Sequence, residues 1–213
     1  MKKTIISGAV MSVMMLSMGA AMAGAMSSEL SVKGKMAIPS CTVYLKDGGV
    51  FNLGKISHGV IKSSEATPMR EIMGSLNVLC DADTYLKFSA VDNREGTASS
   101  AGSTHFGLGN VNGRGKLGYY TMKLSTAKVD SAESGLYSTQ KGNTSTIAYS
   151  TATIDKGKVT GWADDNNAQI SGKLFQANLV IEPVLASIKD MAGSVTENTK
   201  LDGSATLNFS YGL

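Results

Sequence analysis

The chain has 213 residues, with 20 Lys and Arg against 17 Asp and Glu and a formal net charge of +3. This near balance excludes the strongly basic surface that binding to nucleic acid or to an anionic membrane requires. The length suits a single domain with a sizeable core.

The first 23 residues are organised as an export signal. Lys2 and Lys3 precede an uncharged apolar stretch over 4–22, and Ala21 and Ala23 are the small residues that a signal peptidase reads. We predict cleavage after Ala23 and one mature domain over 24–213, with 18 basic and 17 acidic residues. No second apolar run approaches a membrane span, so we expect no membrane insertion of the mature chain.

Cys41 and Cys80 are the only two cysteines, and both lie in the exported part. In an oxidising compartment such a pair is expected to form a disulfide. Two free or metal-binding thiols are the alternative, but the CxxC spacing and nearby histidines typical of zinc sites are missing.

Short apolar runs separated by Gly, Ser, Thr and Asn predict many short strands. We predict strands over 30–38, 41–45, 75–80, 85–91, 117–124, 145–154, 173–182 and 204–211. Residues 63–73 could form a short helix, 92–116 a long connection, and 125–143 loops around a short edge strand. The pattern predicts an all-β antiparallel sandwich.

The first and last predicted strands alternate most clearly. One face of the first carries Leu30, Val32, Met36 and Ile38, and one face of the last carries Leu207, Phe209 and Tyr211. A chain that ends in a half-buried strand fits either a terminus held by a partner or an ordinary final strand of a sandwich.

Together these features resemble the chaperone–usher pilin superfamily of Gram-negative bacteria. The resemblance rests on Gly34 seven residues before Cys41, the second cysteine about 40 residues later, and the alternating terminal strand with Tyr211. A narrower branch of uncharacterised fimbrial-like proteins is similar at Cys41-Thr42-Val43, Gly48-Gly49-Val50, Asn52-Leu53-Gly54-Lys55-Ile56, Leu79-Cys80-Asp81-Ala82, Asp92-Asn93-Arg94-Glu95-Gly96-Thr97, Phe106-Gly107-Leu108-Gly109 and Leu117-Gly118-Tyr119-Tyr120.

The resemblance implies an immunoglobulin-like sandwich that lacks one strand. A periplasmic chaperone would lend a strand, an outer-membrane usher would receive the subunit, and another fimbrial subunit would later supply the strand. The implied groove is bordered by Leu30, Val32, Met36 and Ile38 on one side and by Leu207, Phe209 and Tyr211 on the other, with the Leu213 carboxylate recognised by the chaperone. The implied product is a non-enzymatic subunit of a cell-surface fimbrium, such as an adhesin or a tip subunit.

The chain departs from the pilin pattern at both ends. Tyr211 is third from the end rather than penultimate, and the glycine common about 14 residues before the end is missing. The segment before the first predicted strand, 24–28, is shorter than the roughly 9–10 residues that span a sandwich. Unless residues 29–38 are themselves the donor, the chain is better equipped to accept a strand than to give one.

Trp162, Asp164 and Asp165 form a candidate ligand site. The indole could stack on a sugar of a host glycan, or the oxygen-rich side chains could bind calcium; the alternative is a turn with Trp162 packed onto the sandwich. The rival function is therefore a stand-alone secreted or periplasmic carbohydrate-binding module. In 92–96 we predict a turn in which Asp92 caps backbone groups and Arg94 pairs locally.

No constellation of residues predicts catalysis. His58 and His105 are the only histidines, and no GxSxG nucleophile elbow is present. The glycines of 107–115 miss both the dinucleotide and the P-loop spacing. We expect no enzymatic activity, metal or cofactor.

Overall fold

Strands dominate the chain from Cys41 onward in the computed structural model, which describes residues 28–36 and 38–212. Residues 38–212 form one unit, and 28–36 are described by themselves. The strands of the described part are β1 Cys41–Leu45, β2 Thr67–Pro68, β3 Ile72–Asp92, β4 Phe106–Gly107, β5 Asn110–Val111, β6 Gly115–Lys116, β7 Gly118–Val129, β8 Ala132–Glu133, β9 Gly135–Gln140, β10 Thr151–Thr153, β11 Lys158–Ala163, β12 Ser171–Leu185 and β13 Ala205–Tyr211. Short 3-10 turns cover Lys46–Gly49 and His58–Val60.

The long strand β3 is shared by two antiparallel sheets. Its first half pairs with β1 on one edge and β12 on the other, and β12 continues to β7 and β10. Its second half pairs with β13 and β11, and β11 continues to β9. The all-β antiparallel sandwich is thereby confirmed.

The core lies between the inner faces of the two sheets. Leu76 and Val78 of β3 are 0% exposed, because alternate residues of a strand point to the same face. The Trp162 ring of β11 packs between Phe88 and Phe175, with ring centroids 6.4 Å and 5.3 Å away. Burial of each such side chain contributes about 1.5–3 kcal/mol.

Several predicted strands are confirmed, with shifted boundaries. The strand 41–45 is β1, and the predicted strand 204–211 is β13 from Ala205. The predicted strands 75–80 and 85–91 are a single strand, β3, because the chain passes from one sheet to the other without a turn. The strand 117–124 continues to Val129, and 173–182 lengthens to Ser171–Leu185.

The prediction of a first strand over 30–38 is wrong for the described residues, which have no strand there. Leu30 is 89%, Val32 90% and Met36 102% exposed. An isolated strand without a partner satisfies neither its backbone groups nor its apolar face, so alternation alone does not form one.

The prediction of a short helix over 63–73 is also wrong. Thr67 and Pro68 form β2, in which Thr67 pairs with Leu185 and Pro68 with Val184 of β12. The steric demand of proline moves the preceding residue out of helical conformation.

The region after β7 differs most from the prediction. Strand β10 covers only Thr151–Thr153 of the predicted 145–154, and β11 lies where no strand was predicted. Gly161 interrupts the apolar pattern of β11 because it lies under a ring: a Cβ there would be 2.7 Å from Tyr137 Cε1. Strand β9 is the short strand expected within 125–143.

The export signal and the cleavage site after Ala23 lie outside the described residues, so they stay predictions together with the domain start at residue 24. Within residues 28–36 and 38–212, no helix has the length and apolar character needed to cross a membrane.

We expect the protein to lose stability at alkaline pH, because two of its tyrosines are buried. Burial raises the pKa of Tyr137 to about 12, and burial followed by the Asp92 charge raises the pKa of Tyr120. The unfolded chain loses these protons near pH 10 while the folded chain keeps them, so the free energy of unfolding should fall as pH rises above about 10. Urea unfolding of the wild type and Tyr137→Phe at pH 8 and 11 measures this, and an equal fall in both proteins contradicts the Tyr137 contribution.

Candidate functional site

Edge strands β1 and β13 follow one another along the same edge of β3, and among residues 38–212 no strand pairs with their other edges. In β13 the pairing runs from Ala205 opposite Asp92 to Tyr211 opposite Leu86, and in β1 it continues from Cys41 opposite Cys80. Within residues 38–212 neither strand pairs with any strand besides β3. The Tyr211 hydroxyl donates to the Pro39 carbonyl where the two strands meet.

The free edge of β13 exposes a regular set of backbone groups. The Asn93 N–H donates to the Ser204 carbonyl at 2.9 Å, and the Gly212 N–H donates to the Tyr85 carbonyl at 2.6 Å. In an antiparallel pair, alternate residues direct both backbone groups to the same side. The even-numbered residues of β13 therefore bond to β3, and the free edge belongs to Ala205, Leu207, Phe209 and Tyr211.

The same odd-numbered residues direct their side chains inward, yet they are incompletely covered. Phe209 lies opposite Phe88, which is 1% exposed, and Tyr211 lies opposite Leu86, which is 3% exposed. Tyr211 nevertheless stays 42% exposed, and Val43 on the inner face of β1 stays 40% exposed. The interior is thus open to solvent along this side of the sandwich.

Two adjoining cavities, of about 250 Å³ and about 1060 Å³, lie near the start of β13: the smaller is lined by Ala205 and Leu207, and neither is lined by Val43, Phe209 or Tyr211. Both are bordered by Phe51 and Leu53 on one side and by Leu201 and Gly203 on the other. We call these joined cavities, between residues 45–61 and 195–207, the slot. Inward-facing side chains of the first sheet line the smaller cavity, namely Tyr120, Met122, Leu179 and Ile181.

The wall of the slot opposite β13 also has unpaired backbone. Within the described part of the chain, residues 51–56 make no backbone–backbone hydrogen bond, although the Gly54 N–H donates to Asn52 Oδ1 at 2.7 Å. Their position is set by side chains: Phe51 lies so close to Gly74 of β3 that a Cβ on Gly74 would be 2.7 Å from Phe51 Cε1. The slot therefore has apolar residues at its base and free hydrogen-bonding groups along both walls, the chemistry that accepts an extended polypeptide.

The sequence prediction located only one wall of the slot. Leu207 lines it, but Phe209 and Tyr211 line neither cavity. Ile38 is 84% exposed, and the opposite wall is formed by residues 45–53. Leu30, Val32 and Met36 belong to the segment 28–36, which is described by itself. Leu213 lies outside the described residues.

The turn after β3 joins three segments of the chain. Asp92 is 5% exposed; its Oδ1 accepts from the Arg94 N–H and its Oδ2 from the Gly107 N–H, both at 2.8 Å. Asp92 therefore caps backbone groups, as predicted. Arg94 Nη1 donates locally to the Asn93 carbonyl at 3.2 Å, as predicted, but its ion pair is with a distant residue: Arg94 Nε and Nη2 lie 2.9 and 2.8 Å from Asp202 Oδ2. The hydrogen bond from Arg94 lowers the pKa of the Asp202 carboxyl.

Trp162 is buried, so its indole ring cannot stack on a sugar. Its side chain is 1% exposed, and its Nε1 donates to the Gln176 carbonyl at 3.1 Å. Asp164 organises a turn, since its Oδ1 accepts from the Asn166 and Ala168 N–H groups, each at 2.9 Å. Asp165 is exposed. The two carboxylates lie on a turn, and the aromatic face that a sugar would need is in the core.

The two histidines lie at different places in the fold. His58 begins a 3-10 turn, and the His105 ring stacks on Tyr119 with centroids 4.0 Å apart. Among residues 28–36 and 38–212, no group of three His, Cys, Asp or Glu side chains could hold a metal ion.

The disulfide between Cys41 and Cys80 is confirmed. It joins edge strand β1 to β3 at directly opposite positions. A disulfide indicates folding in an oxidising compartment outside the cytoplasm.

The family comparison matches residues 30–144, just over half of the chain, to the family described as "Protein of unknown function (DUF1120)". The chain belongs to the DUF1120 family. The region matched to DUF1120 contains the disulfide, the turn after β3 and the Phe51–Leu53 wall, whereas β13 lies beyond it. A search of curated proteins found no match.

Sequence reasoning missed the residues of the slot that follow no strand pattern. Phe51 and Leu53 lie in a segment that forms no strand. Gly203 continues the alternation of β13 toward the N-terminus, and it is sterically restricted, since a Cβ there would be 2.9 Å from Tyr120 Cε1 and 3.0 Å from Leu108 Cδ2.

Proposed function

We propose that this protein is a non-enzymatic, fimbrial-type subunit whose sandwich is completed by a strand from another polypeptide. The observation that carries the proposal is the slot together with the free backbone edge of β13, of which Ala205 and Leu207 line the smaller cavity. Its partners are a periplasmic chaperone, an outer-membrane usher and other fimbrial subunits, and its destination is the surface of a Gram-negative bacterium.

The energetics favour an occupied slot. A strand that seats alternate apolar side chains contributes about 1.5–3 kcal/mol for each large one that becomes fully buried. Each new backbone hydrogen bond adds about 0.5–1.5 kcal/mol. An empty slot instead leaves a strand edge that favours aggregation, so a chaperone would be needed before assembly.

The disulfide supports the export route, since it fits folding in the periplasm. The rival function, a stand-alone carbohydrate-binding module, loses its main support because Trp162 is buried.

Hydrogen exchange along β13 tests the proposal. In the chain purified from the periplasm, the N–H groups of Leu207 and Phe209 should exchange at least about tenfold faster than those of Thr206, Asn208 and Ser210, which face β3. A synthetic peptide with the sequence of residues 28–40, chosen because its apolar residues alternate, should slow the first set and leave the second unchanged. A scrambled peptide of the same composition is the control.

Equal protection of odd and even residues in a monomer without peptide would overturn the proposal. That result would mean that the slot is already filled from within the chain.

A further inference from the structure

The wall of the slot formed by Leu201, Gly203 and Ser204 is held by the turn after β3. Arg94 pairs with Asp202, as described above, and the Asn93 Nδ2 donates to Ser204 Oγ at 2.9 Å and to Thr206 Oγ1 at 3.0 Å. The Asp202 N–H also donates to the Leu108 carbonyl at 3.0 Å. We call the contacts of Asn93 and Arg94 with residues 202–206 the clamp.

The chain before this wall has little to hold it. Asn112 Nδ2 fixes the preceding connection by donating to the Met191, Gly193 and Ser194 carbonyls. Between 195 and 200, the hydrogen bonds in the described part of the chain are those between Thr196 and Thr199. The position of Leu201 and Gly203 therefore depends on the clamp, together with the Asp202 N–H bond to the Leu108 carbonyl and the packing of Leu201 against the core.

The turn itself is rigid, so it can act as a fixed support. Thr97 Oγ1 donates to the Arg94 carbonyl at 2.8 Å and accepts from the Gly109 N–H at 3.1 Å. Gly107 lies against this turn so closely that a Cβ would be 2.6 Å from the Arg94 carbonyl oxygen. Segments 92–97 and 106–109 thus form one block beside the slot.

We infer that Arg94 and Asp202 are positioning residues for the partner strand: their ion pair holds residues 201–204 in place as part of one wall of the slot. The inference rests on the proposed function, since it assigns a role within the same slot. Neither side chain lines a cavity, so both act through Leu201 and Gly203.

Because an ion pair holds one wall of the slot, the affinity of the slot for a partner strand should depend on the salt concentration. The Arg94 and Asp202 side chains are 37% and 66% exposed, so salt screens their attraction. Partner-strand affinity should fall as sodium chloride rises from about 0.05 to 0.5 M. Apolar contacts alone predict no such fall.

The test compares Arg94→Gln with the wild type by two measurements. In the free protein, exchange of the Asp202 N–H should be at least about tenfold faster in the variant, while the Gly212 N–H at the other end of β13 is unchanged. For the 28–40 peptide, the variant should bind about fivefold to tenfold more weakly at low salt and lose its salt dependence. The charge exchange Arg94→Asp with Asp202→Arg should restore both properties.

Glu95→Gln is the matched control. Glu95 lies in the same turn and pairs with Lys156 at 3.0 Å, away from residues 201–204. The variant should behave as the wild type in both measurements. Unchanged exchange of the Asp202 N–H in Arg94→Gln would overturn the inference. A different outcome separates the inference from the proposed function. If the wild type binds no peptide and the β13 N–H groups are uniformly protected, the proposed function is wrong. Faster exchange of the Asp202 N–H in Arg94→Gln would then still show that the clamp holds residues 201–204.

Discussion

Replacement of Leu207 by aspartate is expected to weaken binding of the 28–40 peptide at least about 100-fold, equivalent to about 3 kcal/mol. Leu207 lies on the inward face of β13 and lines the smaller cavity. A carboxylate there reaches water while the slot is empty, so the lone chain should still fold. An incoming strand would bury the charge without a partner, which costs several kcal/mol.

Asn208→Asp is the matched control for this prediction. It adds the same charge one residue later, on the exposed face of β13. Peptide affinity should stay within about twofold of the wild type, and urea unfolding should show that both variants are folded. If Leu207→Asp and the wild type bind the peptide with equal affinity, the peptide binds outside the slot.

The sequence predicted the fold class because strand periodicity survives wherever one face is buried. In β13, Ala205, Leu207 and Phe209 are partly buried, while Thr206 and Asn208 are exposed. The boundaries of β1 could be read from Cys41–Leu45, where a cysteine and β-branched residues follow a proline. These signals are local, so they do not depend on knowledge of the partner strands.

The prediction of a first strand over 30–38 shows the limit of the same signal. The apolar residues Leu30, Val32 and Met36 alternate as regularly as those of β13 do. They nevertheless form no strand in the described segment. An alternating pattern shows that a segment has an apolar face. It does not show whether another part of the protein covers that face. Strand β11 shows the converse: Gly161 disrupts its pattern, but pairing with β3 and β9 makes it a strand.

The candidate site was predictable only in part, because the slot is a product of topology. Both β1 and β13 use one edge of β3, and the opening arises beside them. The residue pattern of a strand does not indicate whether another strand pairs with its outer edge. The Trp162 hypothesis was wrong for a related reason, since acidic and amide residues next to an aromatic residue do not reveal which way the ring points.

Removal of the disulfide is the second large effect. The variant in which both Cys41 and Cys80 are alanine is expected to lose about 2–4 kcal/mol of unfolding free energy. The bridge closes a loop with a sequence separation of 39, and the chain-entropy estimate for this length is about 4 kcal/mol. Alanine is chosen because Cys80 is 4% exposed and a serine hydroxyl there would be buried.

The loss should reach the slot, because among residues 38–212 β1 has only β3 as a strand neighbour, and β1 leads through one short turn into the Phe51–Leu53 wall. Urea unfolding measures the global loss, and affinity for the 28–40 peptide measures the loss at the slot. A reductant should lower the wild-type midpoint to that of the double variant and leave the variant itself unchanged. If the reduced wild type keeps its midpoint, β1 is held by pairing and packing alone, and the bridge contributes nothing to the wall that it joins to β3.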